Sequence, residues 1–399
     1  MVAQTVRRRD RQRAAPLLIA DCQPPPRRDA DQRLQCERAN GVHAPAPMRR
    51  FTGMVWCAVL VAGFVSACRA PNQAPQLVYF PPPPATPRVV HLKSFNDLRE
   101  LVPQSAPSWT SWTRGSTRTF VGTPAGLAYH ADTLYVCDTQ LNVVHAWNVG
   151  TGTARQFGAD GETLSKPVAV AVGDDDRIFV ADTDRREIAV FDGDGRHAAH
   201  WRPRAAEEFR PIALFTRDDR LHVCDAANDE VCVLSTTDGS VIRRFGGTGS
   251  ELGAFHAPAG VAVGHDGTVF VSDMLNSRVQ ALTGEGRPLF QIGKPGNRFG
   301  CMGKPRQVGL TPGGILFIAD AEFAHVQVYD TSGELLMMFG GPDGAPGSTP
   351  MPVGIAVATE LPPTLTRLVP SGFQPTCFVF VSNTIGAYRL SLFAVNTGP

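Results

Sequence analysis

The strongest constraint on the fold is a repeated pattern of short apolar runs, in which the second run of each repeat ends in Asp or, once, in Asn. One unit occupies residues 258–292 and reads PAGVAVGHDGTVFVSDMLNSRVQALTGEGRPLFQI. It contains four strand-like runs, GVAV, TVFVSD, RVQAL and PLFQI, separated by segments rich in Gly and Asp, which are turn-forming residues. The unit therefore predicts four short antiparallel strands joined by tight turns.

Six copies of this unit follow one another. Asp, or Asn in the last copy, ends the second run, and successive copies lie 44, 43, 48, 47 and 63 residues apart. A propeller blade of four strands needs roughly 40–50 residues. The sequence therefore predicts an all-β, six-bladed propeller. The anchors are Asp138, Asp182, Asp225, Asp273, Asp320 and Asn383, and a Pro opens the first run at Pro124, Pro167, Pro211, Pro258, Pro305 and Pro352.

The blade and linker motifs resemble those of NHL-repeat propellers. Residues 245–258, FGGTGSELGAFHAP, are similar to the linker of that family, and Asn276 and Arg278 keep its N-x-R element. After Asp225 the same positions hold Asn228 and Glu230, so this copy departs from the pattern. The resemblance implies the fold from about Pro124 to Asn396. It implies no single function, because the family includes lyases, RNA binders and protein scaffolds.

The last repeat is one strand short. After Pro352 it supplies three runs and the chain then ends at Pro399. We expect the apolar segment 89–95 of RVVHLKSF to return as the missing strand, because closure of the ring removes an open sheet edge. The propeller is thus predicted to span residues 88–399. Residues 359–376 are expected to form an insertion between the first two strands of the last blade, and a short helix is expected near residues 96–101.

The first 47 residues are rich in Arg and Pro and lack apolar periodicity. Such a composition is typical of a disordered segment, and it also fits a start codon assigned too early, with Met48 as the true start.

An export signal is predicted at residues 48–67. Arg49 and Arg50 precede an apolar run of about 12 residues, shorter than the roughly 20 that a membrane-spanning helix needs. The following Val65-Ser66-Ala67-Cys68 resembles a bacterial lipobox, which implies cleavage before Cys68 and lipidation of that residue. An ordinary secretory signal and an N-terminal membrane helix are the alternatives.

A lipidated Cys68 would anchor the protein in the bacterial cell envelope. Arg69 follows the cysteine where Asp would mark inner-membrane retention, so the resemblance implies the outer membrane, facing the periplasm or the cell surface. Residues 68–87, which include Pro81 to Pro84, are expected to form an extended tether.

The charge balance argues against a nucleic-acid partner. Residues 1–68 hold 11 of the 38 basic and 5 of the 37 acidic side chains, so the remainder carries 27 basic and 32 acidic groups. Nucleic-acid binders usually have the opposite balance.

No catalytic residue, metal ligand or cofactor site is predicted. The repeated Asp residues all precede a turn, which favours capping of backbone N–H groups over a metal ring. The amidating-lyase branch of the family carries metal-binding His after the Pro, and calcium lactonases carry channel carboxylates. The first runs here have neither. Cys137 and Cys224 are expected to be buried thiols, with a Cys224–Cys232 disulfide as an open alternative.

A partial basic ring is the candidate binding site. Lys166, Arg210 and Lys304 precede the Pro of their repeats and Arg306 follows one. The ring would attract a small anionic ligand or an acidic partner protein, although basic residues are also ordinary in such linkers. We therefore expect a lipid-anchored envelope propeller that acts as a binding scaffold. The alternative is an envelope hydrolase or lyase with an unfamiliar site at the channel mouth.

Overall fold

The computed structural model describes residues 77–101, 119–159, 162–203 and 208–398. The predictions for residues 1–47, for the signal at 48–67 and for Cys68 lie outside these described residues. Within the described part of the chain, no helix is both long and apolar enough to cross a membrane.

Six antiparallel sheets confirm the predicted propeller. Blades 1, 2 and 3 each contain four consecutive strands. Blade 1 consists of β3 (Pro124–His130), β4 (Thr133–Asp138), β5 (Val143–Asn148) and β6 (Thr153–Phe157). Blade 2 consists of β7 (Pro167–Val172), β8 (Ile178–Asp182), β9 (Glu187–Phe191) and β10 (His197–Trp201). Blade 3 consists of β11 (Pro211–Arg217), β12 (Arg220–Asp225), β13 (Glu230–Ser235) and β14 (Val241–Gly246).

Blades 4 and 5 follow the same order, whereas blade 6 combines both ends of the described chain. Blade 4 consists of β15 (Pro258–Val263), β16 (Val269–Asp273), β17 (Arg278–Leu282) and β18 (Pro288–Ile292). Blade 5 consists of β19 (Pro305–Leu310), β20 (Ile315–Asp320), β21 (His325–Asp330) and β22 (Leu335–Gly340). Blade 6 consists of β23 (Pro352–Ala358), β24 (Cys377–Asn383) and β25 (Leu390–Val395), followed by β2 (Val89–Phe95) and β1 (Val78–Phe80).

The core lies between neighbouring blades. All five residues of β16 are buried, because this strand is covered on both faces by adjacent sheets. The outermost strand β18 instead has mostly exposed residues. Apolar residues at successive positions of an inner strand therefore face two different neighbours, which explains the continuous apolar runs of the repeats.

Strand β2 closes the ring as predicted. It pairs antiparallel with β25, with Val89 opposite Val395 and Phe95 opposite Leu390. Phe95 is fully buried, and its ring centroid lies 6.3 Å from that of Trp147 in blade 1. The N-terminal strand thus contributes to the core between the last blade and the first.

Strand β1 is a fifth strand that the sequence analysis placed within the tether. Val78 pairs with His91 and Phe80 with Val89. Phe80 contacts Phe339 and Phe393, with ring centroids 6.2 and 6.5 Å away. This aromatic contact and the open edge of β2 explain why three residues ahead of the proline cluster join the sheet.

The described residues include two short α-helices, one at the predicted position after β2 and one in the predicted insertion of blade 6. Helix α1 (Leu98–Leu101) follows β2 and buries Leu98 and Leu101. Helix α2 (Pro363–Thr366) lies in the insertion between β23 and β24, where Leu365 is buried. The Thr364 hydroxyl donates to the Val149 carbonyl at 2.6 Å, which ties the insertion to blade 1.

The alternative Cys224–Cys232 disulfide is wrong. Both cysteines are buried and are not bonded to each other, and Cys224 pairs with Val231 whereas Cys232 pairs with Val223. Since side chains alternate along a strand, this one-residue offset puts the two sulfur atoms on opposite faces of blade 3.

Replacing Phe95 with Ala tests the contribution of the closing strand. Loss of a fully buried aromatic ring creates a cavity, and we expect the free energy of unfolding to fall by about 3–5 kcal/mol. Chemical denaturation followed by tryptophan fluorescence measures this change. Ile242→Ala, on the exposed outer strand of blade 3, is the control and should change stability by less than about 1 kcal/mol. Equal effects of the two substitutions would exclude a structural role for Phe95.

His91 makes stability depend on pH. Burial lowers its pKa from 6.5 to about 4. Between these values the unfolded chain takes up a proton that the folded chain does not, so stability falls as the pH drops through this window. We expect His91→Gln to remove about 2 kcal/mol of the stability difference between pH 7.5 and pH 5. Denaturation at both pH values tests this, and His265→Gln at an exposed site should preserve the wild-type difference.

Candidate functional site

The first strand of each blade lines the central channel. These six strands contact one another in sequence around the ring, and β23 contacts β3 to complete it. All six begin with the Pro of the repeat. The face on which they begin, here called the mouth face, also carries the linkers between blades and the turns that follow the second strands.

The repeated Asp residues cap backbone groups at this face, as predicted. The Asp320 carboxylate accepts hydrogen bonds from the backbone N–H groups of Gly303 and Lys304 at 2.9 and 3.0 Å. Burial alone would raise the pKa of Asp138, but hydrogen bonds from His145 and nearby backbone groups outweigh it and lower the pKa to about 2. Each Asp thus fixes the linker that leads into its own blade.

The family's N-x-R element serves the same cap in blade 4. Asn276 Nδ2 and Arg278 Nε donate to the Asp273 carboxylate at 2.9 and 2.8 Å. Gln280 Nε2 also donates to this carboxylate at 3.1 Å, and in blades 1 and 5 His145 and Gln327 occupy the position of Gln280 and contact Asp138 and Asp320. The side chain seven residues after the Asp therefore contacts the carboxylate in these three blades, with or without the N-x-R element.

Asn383 replaces the Asp in blade 6. Its buried side-chain nitrogen and oxygen have no hydrogen-bond partner among the described residues. The residue two positions before the opening Pro is Pro350 here, which has no N–H to donate, whereas blade 5 has Gly303 there. Blade 6 therefore lacks one of the two linker N–H groups that the carboxylate caps in blade 5.

A cavity of about 280 Å³ lies at the mouth face. Its charged lining residues are Lys166, Arg210 and Arg306, three of the four predicted ring residues. Lys304 does not line the cavity and instead lies 3.5 Å from Glu322 in a half-exposed ion pair. Although only Pro305 separates them in the chain, Lys304 is a surface cation and Arg306 is a channel cation.

Arg306 is the best-placed cation of the cavity. Its side chain is half-buried, and its Nε has no hydrogen-bond partner among the described residues. Burial lowers the pKa of Arg306, although a guanidinium with an intrinsic pKa above 12 stays charged at neutral pH. A positive charge in this setting is incompletely solvated, so an anion in the cavity would stabilise it.

Small apolar side chains form most of the remaining wall. Ala125, Ala226, Ala257 and Ala259 line the cavity together with Met274. Among the described residues that line it, none is a carboxylate, imidazole or thiol. The cavity therefore provides positive charge and room, with no acidic group inside to compete for the cations.

Lys166 and Arg210 also border a second pocket between blades 2 and 3. This pocket of about 350 Å³ includes Asp184 and Glu208, and Lys166 Nζ lies 3.9 Å from Asp184 Oδ1. Both members of this pair are about half exposed, so the interaction is weak. Lys166 and Arg210 thus share a pocket with carboxylates. Arg306, the third charged residue that lines the mouth cavity, does not line that pocket.

Gln307 is a channel residue that the sequence analysis missed. Its amide nitrogen donates to the Leu127 carbonyl at 3.3 Å, and its oxygen accepts from the Ile355 N–H at 3.2 Å. It lines both the mouth cavity and a cavity of about 160 Å³ near the opposite end of the channel. The signal was present, because Arg306-Gln307 is the only pair of polar residues directly after an opening Pro.

No grouping of three or more His, Cys, Asp or Glu residues that could hold a metal ion occurs in the described ranges.

Comparisons with known proteins identify a fold. No family model matches the chain. A gluconolactonase from Xanthomonas campestris aligns with a TM-score of 0.51 at 17% identity over 77% of this chain and 89% of its own. A structural genomics protein of unknown function from Bacteroides thetaiotaomicron aligns with a TM-score of 0.53 at 14% identity over 69% and 70%. A streptogramin B lyase gives a TM-score of 0.49 at 14% identity over 69% and 84%. At these identities the likeness is one of architecture.

Proposed function

We propose that this protein is a lipid-anchored binding propeller of the bacterial cell envelope whose channel mouth takes up an anionic group. The observation that carries the proposal is Arg306, a half-buried guanidinium with an unpartnered Nε that lines a cavity without acidic residues. The group bound is a carboxylate or phosphate, borne by a small molecule or by an acidic segment of a partner protein.

Charge and shape both favour an anionic ligand. Lys166, Arg210 and Arg306 surround the entrance, whereas the chain after residue 68 has a net negative charge. A basic site on an acidic body concentrates the field at the entrance and guides anions to it. Arg also offers two parallel N–H donors that match the geometry of carboxylate and phosphate.

Binding is favoured over catalysis by the chemistry of the lining. The described residues of the cavity include three cations, Thr183 and Gln307, and they offer no His, Asp, Glu, Tyr or Cys side chain as a general base. The arrangement can hold and orient an anion. It does not place a proton acceptor beside it.

The envelope location rests on the sequence. The lipobox-like Val65 to Cys68 and the proline-containing segment after it support an anchor with a short tether. In this proposal the propeller faces the periplasm or the cell surface from the outer membrane, where acidic small molecules and envelope proteins would be its partners.

Substitution of Arg306 tests the site. The full-length protein is titrated calorimetrically with citrate and with inorganic phosphate, and with glycerol as an uncharged probe. Arg306→Ala should weaken binding of the preferred anion about 10- to 100-fold, because a hydrogen bond to a charged group contributes about 1.5–3 kcal/mol. Arg306→Lys should bind the anion with an affinity between those of the wild type and Arg306→Ala, since Lys keeps the positive charge but lacks the paired N–H donors of Arg.

Lys304→Ala is the matched control. Lys304 precedes the same Pro and carries the same charge, but lies outside the cavity. Its substitution should leave the affinity unchanged. Failure of both anions to bind, or equal losses in the Lys304 and Arg306 variants, would contradict the proposed site.

A further inference from the structure

Most of the exposed large apolar side chains lie on one face of the propeller. Nine such residues occur among the described residues, and five of them belong to linkers or to turns after second strands, all on the mouth face. The five are Phe120, Leu252, Leu275, Phe299 and Ile385. Phe299 is 82% exposed, which is unusual for a Phe on a folded domain.

Three of these residues, Leu252, Leu275 and Phe299, lie on neighbouring segments of the mouth face, here called the linker patch. Leu275 lies in the turn after β16, between the linker with Leu252 and the linker with Phe299. The same turn is hydrogen-bonded to both linkers, through Asn276 Nδ2 to the Gly249 carbonyl at 2.9 Å and Ser277 Oγ to the Gly303 carbonyl at 2.8 Å. These bonds hold the three apolar side chains on neighbouring ordered segments.

The linker patch is also basic. Lys294 and Arg298 flank Phe299 in the same linker, both are exposed, and neither side chain has an ion-pair partner among the described residues. Glu251, beside Leu252, is the acidic side chain that these three segments contribute to the patch. The patch therefore has a net positive charge on a propeller that is otherwise acidic, and this asymmetry favours one orientation near a negative surface.

The first described residues of the chain lie beside a linker of this face. Phe95 of β2 pairs with Leu390 of β25, close to the mouth face, whereas Val89 lies toward the opposite face. Because β1 runs antiparallel to β2, with Phe80 opposite Val89, the chain enters β1 from the side of the mouth face. A Cβ added at Gly347, in the linker between blades 5 and 6, would lie 3.4 Å from Val78, which supports this direction.

The length of the tether limits the distance of the mouth face from the anchor. Nine residue steps separate Cys68 from Leu77, and an extended chain covers at most about 3.6 Å per residue, so the entry point lies within about 32 Å of the lipidated residue. Because Val78 lies beside a linker of the mouth face, a tether of this length allows that face to reach the membrane surface.

We propose that the linker patch contacts the surface of the bilayer, with Phe299 and Leu275 in the interfacial region and Lys294 and Arg298 on anionic headgroups. This inference rests on the lipid anchor of the proposed function and adds an orientation and a second membrane contact to it. Exposed aromatic and aliphatic residues flanked by cations are the combination that binds interfaces containing anionic lipid.

Site-specific fluorescence tests the contact. An environment-sensitive dye is attached at Asn297→Cys, beside Phe299, or at Asp174→Cys in an exposed turn of the opposite face. The five described cysteines are buried, so native labelling is selective within the propeller. The lipidated protein is reconstituted in vesicles of phosphatidylethanolamine and phosphatidylglycerol that contain a spin-labelled lipid as quencher. We expect the dye at position 297 to lose about half of its fluorescence and the dye at 174 to lose little.

Variants and salt separate the patch from the anchor. Phe299→Ser with Lys294→Gln should abolish quenching at position 297, Ile242→Ser on an outer strand should not, and raised salt should weaken the quenching. Equal quenching at 297 and 174, or none at 297 in protein whose mass shows lipidated Cys68, overturns the patch and leaves the anchor intact. Absence of quenching at position 297 is also the result expected if a protein partner, and not the bilayer, covers the patch. An unmodified Cys68 removes the anchor, and with it the argument for this orientation.

Discussion

The pairing of β2 with β25 is the interaction on which the rest of the structure depends. The two strands come from opposite ends of the described chain, and their ladder runs from Val89–Val395 to Phe95–Leu390. Side chains reinforce both ends, through Arg88 Nη2 to the Gly398 carbonyl at 2.8 Å and the Arg389 N–H to Asn96 Oδ1 at 2.7 Å. Without β2, strand β25 would be an open edge and Trp147 of blade 1 would lose the contact with Phe95.

Closure of the ring also defines the candidate site. The cavity at the mouth face is lined by residues of all six blades, from Ala125 in blade 1 to Val353 in blade 6. Gln307 beneath Arg306 hydrogen-bonds to Leu127 and to Ile355, so blades 5, 6 and 1 are linked inside the channel. The backbone of Arg306 therefore belongs to a strand that is fixed to its neighbours across the channel. A rigid setting lowers the entropic cost of ordering the side chain when a ligand binds.

The sequence predicts the architecture well because each blade repeats the same arrangement of turn-forming, capping and apolar residues. The Pro that opens a first strand and the Asp that caps the next turn mark all but one blade, and the missing strand of the last blade identifies 89–95 as its replacement. Strand β1 is harder to predict, since its three residues join the sheet through an edge that exists only after the ring closes.

The site is predicted only in part. Their positions beside an opening Pro identify Lys166, Arg210 and Arg306. The same rule cannot show that the Lys304 side chain pairs with Glu322, because Glu322 lies in the turn after β20. Likewise, proximity on adjacent strands allows a Cys224–Cys232 bond until the register places the two side chains on opposite faces. Gln307 had a visible signal as a polar residue in an apolar strand. Its hydrogen bonds to Leu127 and Ile355 depend on the distance between blades across the channel, and no sequence pattern within one blade gives that distance.

Hydrogen–deuterium exchange of the intact protein, read by mass spectrometry, tests the closed ring most directly. The account predicts that amides of residues 89–95 exchange as slowly as those of β25, because both strands share one ladder and open together. Exchange of 89–95 at the rate of an unstructured peptide, with β24 still protected, would show that β25 is an open edge and would contradict the closed propeller.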